Sequence, residues 1–79
     1  MINKTKSREE IGRALIRWRI KMGKYQKNVA DHLGVDVSTY RAYENARAEP
    51  SIATLKEISL YYGCKNVEEL IDLNLILMP

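Results

Sequence analysis

Side chains that could carry out catalysis or bind a metal are few in this 79-residue sequence. His32 is the only histidine and has no partner at the spacing of a metal site, and Cys64 is the only cysteine, so it cannot form an internal disulfide. No acid pair, nucleophile beside a base or glycine-rich phosphate loop occurs at a useful spacing. The sequence therefore predicts no enzyme, no metal site and no cofactor, and it favours an inert, buried thiol for Cys64.

Side chains that suit a polyanion are concentrated in the first part of the chain. Residues 1–47 hold 11 Lys and Arg against five acidic residues, and residues 48–79 hold two against five, which gives net charges of +6 and −3. Charged residues commonly just solvate helix faces, so a charge run alone is weak evidence. An asymmetry this large nevertheless favours a polyanionic partner, such as nucleic acid, at one end of the molecule.

Length and composition indicate one small globular domain. The hydrophobic content of 46% and charged content of 29% are ordinary for such a domain. No apolar run approaches the ~18 residues of a membrane-spanning helix. The polar start, MINKTKSREE, lacks the apolar segment of a secretory signal. We therefore expect a cytoplasmic protein with no membrane partner, a flexible segment at residues 1–6 and a domain over residues 7–72.

Helix caps predict the elements that must position these side chains. Ser7 with Glu10 forms a capping box, and Asn66 with Glu69 repeats the pattern. Asp36 is a good N-cap because its carboxylate can accept hydrogen bonds from the first turn of a helix. A glycine ends three of the apolar runs, at residues 23, 34 and 63. The predicted helices are Arg8–Met22, Gln26–Leu33, Val37–Asn45, a run from Pro50 and Ser51 to Tyr62, and a short one through Val67, Leu70 and Ile71.

Apolar residues recur at helical spacing in each run, and no segment before residue 73 alternates like a strand. The sequence therefore predicts an all-α bundle of five short helices. The predicted inner faces consist of Ile11, Leu15, Trp18 and Met22; Val29, Ala30 and Leu33; Tyr40, Tyr43 and Glu44; Ile52, Leu55, Ile58, Ser59 and Tyr62; and Val67, Leu70 and Ile71.

The second and third predicted helices are joined by residues 34–36 alone. This connection is too short for the helices to lie antiparallel, so they should meet at a steep angle, as in a helix-turn-helix. With Tyr40, Tyr43 and Glu44 packed inward, the opposite face of the third helix is free to contact another molecule. That face carries Val37, Ser38, Arg41, Ala42 and Asn45.

The spacing Gly-x-x-Gln-x-x-x-Ala-x-x-x-Gly occurs at Gly23, Gln26, Ala30 and Gly34. With this pattern the sequence resembles the phage-repressor, or Xre-type, helix-turn-helix family of transcription regulators. The segments YENARAEPS and SIATLKEISLYYGCKNVEEL match the later part of the family in order and length, so the resemblance covers about residues 11–71. It implies a lambda-repressor-like domain that binds double-stranded DNA.

The resemblance also implies roles for individual residues. Gln26 matches the glutamine that holds a DNA phosphate and braces the recognition helix, and Arg19 with Glu44 matches an ion pair between the first and third helices. Asn45 and Arg47 match contacts to the DNA backbone. The full predicted DNA-binding set is Gln26, Val37, Ser38, Arg41, Ala42, Asn45, Arg47, Lys24 and Lys27.

The predicted base-reading face has few side chains that can form hydrogen bonds with base edges. Arg41 can pair bidentately with guanine, and Ser38 can donate or accept a hydrogen bond. Val37 and Ala42 offer only apolar contact, of the kind made to a thymine methyl group. We therefore expect modest direct readout of the base sequence.

Two departures from the family pattern affect helix ends. Lys24 and Tyr25 replace the usual Leu and Thr or Ser, so the hydroxyl cap of the second helix is lost and we expect that helix to fray or to start differently. Lys24 could compensate by reaching a phosphate. Ala46 replaces the glycine that often follows the third helix, and because alanine adopts a left-handed conformation poorly, we expect Asn45 to take it instead.

The C-terminal tail, residues 73–79, is strongly apolar. Its leucines suit either a short strand or a longer fifth helix, and their spacing does not decide between the two. An exposed apolar segment of this kind often marks an interface, so we expect the tail to help form a homodimer. The leading function is transcriptional regulation, most simply repression. The alternative is an antitoxin-like or adaptor subunit that binds a protein partner through the tail, with DNA binding secondary.

Overall fold

The computed structural model describes residues 7–72, which form five α-helices and no strand. Helix α1 spans Arg8–Lys21, α2 spans Gln26–Leu33, α3 spans Val37–Glu44, α4 spans Ile52–Tyr62 and α5 spans Val67–Ile71. The predicted all-α fold is confirmed, and α1 and α3 each end one residue earlier than predicted. The predictions for residues 1–6 and 73–79, a flexible start and an apolar tail, lie outside the described residues.

Side-chain caps begin α1 and α5, as predicted. The Ser7 backbone N–H donates to Glu10 Oε1 at 2.9 Å, while the Glu10 N–H donates to Ser7 Oγ at 3.1 Å, so both halves of the capping box are present. In α5, the Glu69 N–H donates to Asn66 Oδ1 at 2.8 Å. These hydrogen bonds satisfy backbone donors that a helix start leaves without a partner.

Asp36 is the N-cap of α3, but its carboxylate makes no capping hydrogen bond, so this part of the prediction is wrong. The backbone carbonyl of Asp36 accepts from Thr39 N at 3.0 Å and from Tyr40 N at 3.2 Å. Because Thr39 holds the N3 position of the helix, its N–H is one of the donors that the carboxylate would otherwise have capped. The turn closes through the main chain instead.

The core lies where all five helices meet. Its most completely buried large side chains are Leu15 of α1, Val29 of α2, Tyr40 of α3, Ile58 of α4 and Leu70 of α5. Two residues predicted for the inner faces are exposed, since Met22 is 42% and Ile52 is 62% accessible. Both lie at the ends of their helices, where the apolar stripe runs past the neighbouring elements.

Helix α1 approaches α3 closely at Gly12. A Cβ atom at residue 12 would lie 2.6 Å from the backbone oxygen of Glu44 and 3.0 Å from that of Tyr43. Any side chain larger than hydrogen would therefore meet main-chain atoms of α3. Gly12 sets how near the two helices can come.

The turn between α2 and α3 is built on Gly34. Its φ of 74° is left-handed, and the following N–H, of Val35, donates to Ala30 O at 3.0 Å and closes the end of α2. Helix α2 packs against α3 and α4, while α1 packs against α3 and α5. Helix α3 is therefore held in place by packing against both α1 and α2.

The turn after α3 corrects one expectation. Ala46 itself adopts the left-handed conformation, with a φ of 63°, whereas Asn45 has a φ of −89°. The Arg47 N–H donates to Ala42 O at 2.9 Å across this turn. This hydrogen bond needs the residue after the C-cap to be left-handed, whichever side chain it carries.

Among residues 7–72, no helix is both long and apolar enough to cross a membrane.

Candidate nucleic-acid interface

Helix α3 has one buried and one open face. Tyr40 is fully buried and Glu44 is 6% accessible on the inner face. On the other side Ser38, Arg41 and Asn45 are exposed. Val37 and Ala42 are half-buried at the edges of this outer face. The predicted base-reading residues therefore share one surface, which the protein's own described chain leaves uncovered at Ser38 and Arg41.

An ion pair fixes α3 to α1 beneath this surface. Arg19 Nε donates to Glu44 Oε2 at 2.6 Å and Arg19 Nη2 donates to Glu44 Oε1 at 3.2 Å. The Glu44 side chain is 2% and the Arg19 side chain 17% accessible. The hydrogen bond to Glu44 raises the pKa of Arg19 above its usual value, although burial opposes this shift. Arg19 also donates from Nη1 to the backbone oxygen of Lys24 at 3.2 Å, which ties in the loop before α2.

Gln26 connects this buried pair to the outer face. Gln26 Nε2 donates to Glu44 Oε1 at 2.9 Å, and Gln26 Oε1 accepts from Arg41 Nε at 3.1 Å. A continuous chain of hydrogen bonds therefore runs from Arg19 in α1 through Glu44 and Gln26 to Arg41. It joins α1, α2 and α3 side chain to side chain.

Three members of this hydrogen-bond chain, Arg19, Gln26 and Arg41, line an open groove of about 490 Å³ between the start of α2 and the outer face of α3. The groove brings together four residues of the predicted DNA-binding set with two others. One of the others, Tyr25, is 77% accessible and was not predicted as a site residue. Its place directly before Gln26, at the N-cap of α2, is the signal that could have identified it. The lining consists of Arg19, Tyr25, Gln26, Lys27, Val37 and Arg41.

Helix α2 begins at Gln26 even though the hydroxyl cap is missing. The Tyr25 N–H donates to Asn28 Oδ1 at 2.7 Å, so the N3 side chain reaches back to the cap residue. The expectation of a different start for α2 is therefore wrong. Asn28 supplies the half of a capping box that does not need a hydroxyl group at residue 25.

Several predicted residues make contacts outside the groove or lie beyond it. Lys27 Nζ lies 3.2 Å from Asp31 Oδ2, and both side chains are largely exposed. Lys24 Nζ lies 5.5 Å from the centre of the Tyr61 ring, so its ammonium group is directed toward α4. Lys24 does not line the groove. Asn45 and Arg47 are exposed at the C-terminal end of α3 and in the turn that follows.

Cys64 and His32, the two residues considered for chemistry, pack against other side chains, as does Trp18. Burial raises the pKa of the Cys64 thiol to about 11. The His32 ring stacks on Tyr61 with ring centres 4.4 Å apart. Trp18 stacks on Tyr62 at 5.9 Å. Over residues 7–72, no three His, Cys, Asp or Glu side chains are grouped so that they could hold a metal ion.

Comparison with known protein families gives a match over most of the chain. A helix-turn-helix family model matches residues 15–70, which is most of the chain and includes α2, the Gly34 turn and α3. Comparisons with the curated proteins and with the solved structures found no significant match. The matched segment agrees with the observed helices and with the family pattern around Gln26. The chain therefore belongs to the Xre-type helix-turn-helix family of DNA-binding regulators.

Proposed function

We propose that this protein is a sequence-specific transcriptional regulator that places α3 in the major groove of duplex DNA. In a helix-turn-helix the second helix enters that groove and the first crosses the DNA backbone. The observation that carries the proposal is the outer face of α3, where Ser38 and Arg41 are exposed. The opposite face of the same helix is fixed to α1 by the Arg19–Glu44 ion pair. An α-helix fits the width of the major groove.

We assign the outer residues by their chemistry. Arg41 has the donors to pair with guanine, Ser38 can donate or accept, and Val37 and Ala42 can contact a thymine methyl group. Lys27, Asn45 and Arg47 lie exposed around this face and are assigned to phosphate contacts, which set register without reading sequence. Lys24 would have to leave the Tyr61 ring to join them.

The simplest mode of regulation is repression by occupying an operator and excluding polymerase, in the cytoplasm. A twofold dimer on a palindromic site, with half-sites about 34 Å apart, suits a protein with one recognition helix per chain. We assign the pairing of subunits to the apolar tail, residues 73–79. Sedimentation of the full chain and of a chain ending at Asp72 tests this assignment. The full chain should sediment as a dimer and the shortened chain as a monomer, and equal behaviour would refute a role for the tail.

Titration of duplex DNA at several salt concentrations tests the function itself. A dimer that makes about eight phosphate contacts would give a slope of log affinity against log salt near roughly −7. A duplex enriched from a random pool should bind more tightly than a random duplex of equal length. A slope near zero would instead favour the alternative of a protein-binding subunit. The exposed Leu60 on α4, 72% accessible, offers an apolar contact for such a partner.

A further inference from the structure

We propose that Gln26 and Glu44 are positioning residues for Arg41, so that Arg41 reads DNA only through its two terminal Nη groups. This inference rests on the proposed function and deepens it, since it assigns the Gln26 side chain to the orientation of a base-reading residue. The family resemblance implies a phosphate contact and a general bracing of the recognition helix for Gln26, but it assigns Gln26 to no particular base-reading side chain. The hydrogen bonds around Gln26 carry the inference.

The amide of Gln26 can take only one orientation in this site. Its Nε2 donates to a carboxylate oxygen of Glu44, and its Oε1 accepts from the N–H of Arg41 Nε. If the amide were flipped, Oε1 would face the carboxylate and Nε2 would face a second donor. Both contacts would be lost together, because a carboxylate can only accept and a guanidinium can only donate. The two ends of Gln26 therefore select the same orientation.

We call the hydrogen bonds from Glu44 through Gln26 to Arg41 the bridge. The carboxylate of Glu44 is the rigidly held end of this bridge. Its carboxylate accepts two hydrogen bonds from Arg19 and one from Gln26, and its side chain is 2% accessible. The helix that carries Glu44 is also held by its main chain against Gly12. Hydrogen bonds to a charged acceptor are stronger than neutral ones, and they are screened least where water is excluded. The position of Gln26 is thus set from inside the protein.

The bridge determines which hydrogen-bond donors of Arg41 remain available to contact DNA. The single N–H on Nε points back to Gln26, which leaves the four N–H groups on Nη1 and Nη2. A guanidinium held by Nε must approach guanine with its Nη edge, and it enters the groove with less rotational freedom to lose. The bridge therefore increases the energetic difference between a matched base pair and a mismatched one.

Hydrogen exchange in the free protein tests the bridge without DNA. We expect the Nε–H of Arg41 to exchange more slowly than the Nε–H of the exposed Arg13, and we expect Gln26→Met to remove this protection. Lys27→Met serves as the matched control, since it places the same side chain one residue further along α2 and should leave Arg41 unchanged. The Nε–H of Arg19 should stay protected in both variants, which reports an intact fold. Equal exchange at Arg41 in the wild type and in Gln26→Met would overturn the inference.

Binding measurements test the reading role. The probes are the duplex enriched from a random pool by the wild-type protein, its single-base-pair variants and a random duplex of the same length. Arg41→Ala and Gln26→Met should each lower discrimination at the same base pair, by at least about fivefold. The double variant should lose little more than Arg41→Ala alone, because Gln26 acts through Arg41.

Other outcomes would contradict the inference in distinguishable ways. If Gln26→Met weakens every duplex equally, and its effect multiplies with that of Arg41→Ala, then Gln26 is an independent phosphate contact and the positioning role is wrong. Lys27→Met should show this uniform behaviour. If the wild-type protein binds no duplex at all, the proposed function falls and the reading role falls with it, while the exchange result still decides whether the bridge exists.

Discussion

Gly12 of α1 faces the main-chain oxygen of Glu44 in α3, which a Cβ atom would approach to 2.6 Å. Because that oxygen belongs to a helix backbone, it cannot swing aside, so Gly12→Ala must move two helices apart. Overpacking costs about 1 to 3 kcal/mol, against a gain of roughly 1 kcal/mol in helix propensity. We expect urea unfolding to show a net loss of up to about 2 kcal/mol. Arg13→Ala, at the next and exposed position, is the control and should change stability by less than about 0.5 kcal/mol.

Glu44→Gln should lower the free energy of unfolding by about 3 kcal/mol. The substitution leaves the partly buried guanidinium of Arg19 without the counter-charge of the buried Glu44, and removal of one partner of a pair that is shielded from water is strongly destabilising. Asp31→Asn makes the same chemical change in the exposed Lys27–Asp31 pair and should cost less than about 0.5 kcal/mol. Thermal unfolding of the two variants side by side checks this difference. Equal melting temperatures would mean that burial of Glu44 adds nothing to the pair.

Ala46→Gly should stabilise the protein by about 0.5 to 1 kcal/mol. Ala46 has a φ of 63°, where an L-residue with a Cβ is strained and glycine is not. Ala48→Gly is a matched control two residues away, at a position where φ is not positive. It should destabilise the protein slightly, because glycine gains freedom in the unfolded chain. Chemical denaturation would contradict the prediction if both variants shifted the midpoint in the same direction.

Stability should fall at alkaline pH. Burial raises the pKa of the Cys64 thiol from 9.0 to about 11, and burial also raises the pKa values of Tyr40 and Tyr62. The folded state therefore keeps protons that the unfolded chain releases, so this stability is present below pH 9.0 and is lost as pH rises toward about 11. Urea midpoints measured from pH 7 upward check this. Cys64→Ala should delay the decline until the tyrosines begin to titrate, and a wild-type midpoint constant through this range would contradict it.

Arg41 and Arg47 should contribute to DNA binding in different ways. We expect Arg41→Ala to weaken binding to an enriched duplex by about 1 to 3 kcal/mol, with a much smaller effect on a random duplex. Arg47→Ala should weaken both alike and reduce the salt slope by about one, because a phosphate contact carries no sequence information. Fluorescence anisotropy with both duplexes separates the two effects. Equal losses on both duplexes for both variants would refute this division.

Local signals account for most of what could be predicted from sequence. The capping box of Ser7 and the left-handed glycines at residues 23, 34 and 63 depend on neighbours within four residues, and the structure has all of them. Periodicity is less informative at the ends of helices, because it identifies a stripe but not where the neighbouring helix stops. Met22 and Ile52 were assigned to inner faces for this reason, and both are exposed.

Tertiary contacts account for what could not be predicted. Gly12 has no periodic signal, and only the packed position of α3 shows why a Cβ atom is excluded there. Propensity alone assigned the left-handed conformation to Asn45, but the hydrogen bond from Arg47 N to Ala42 O requires it of Ala46. The bridge from Glu44 through Gln26 joins side chains from two helices, and no spacing along one helix encodes it.

The separation of the two faces of α3 also bears on how such a protein can diverge. Residues that hold the helix in place, Tyr40 and Glu44, point inward, whereas Ser38, Thr39 and Asn45 lie exposed. Substitutions at the exposed positions leave the interior unaltered, so under the proposed function new operator preferences can arise by mutation without first compensating for lost stability. The scaffold can therefore be inherited unchanged while its target drifts.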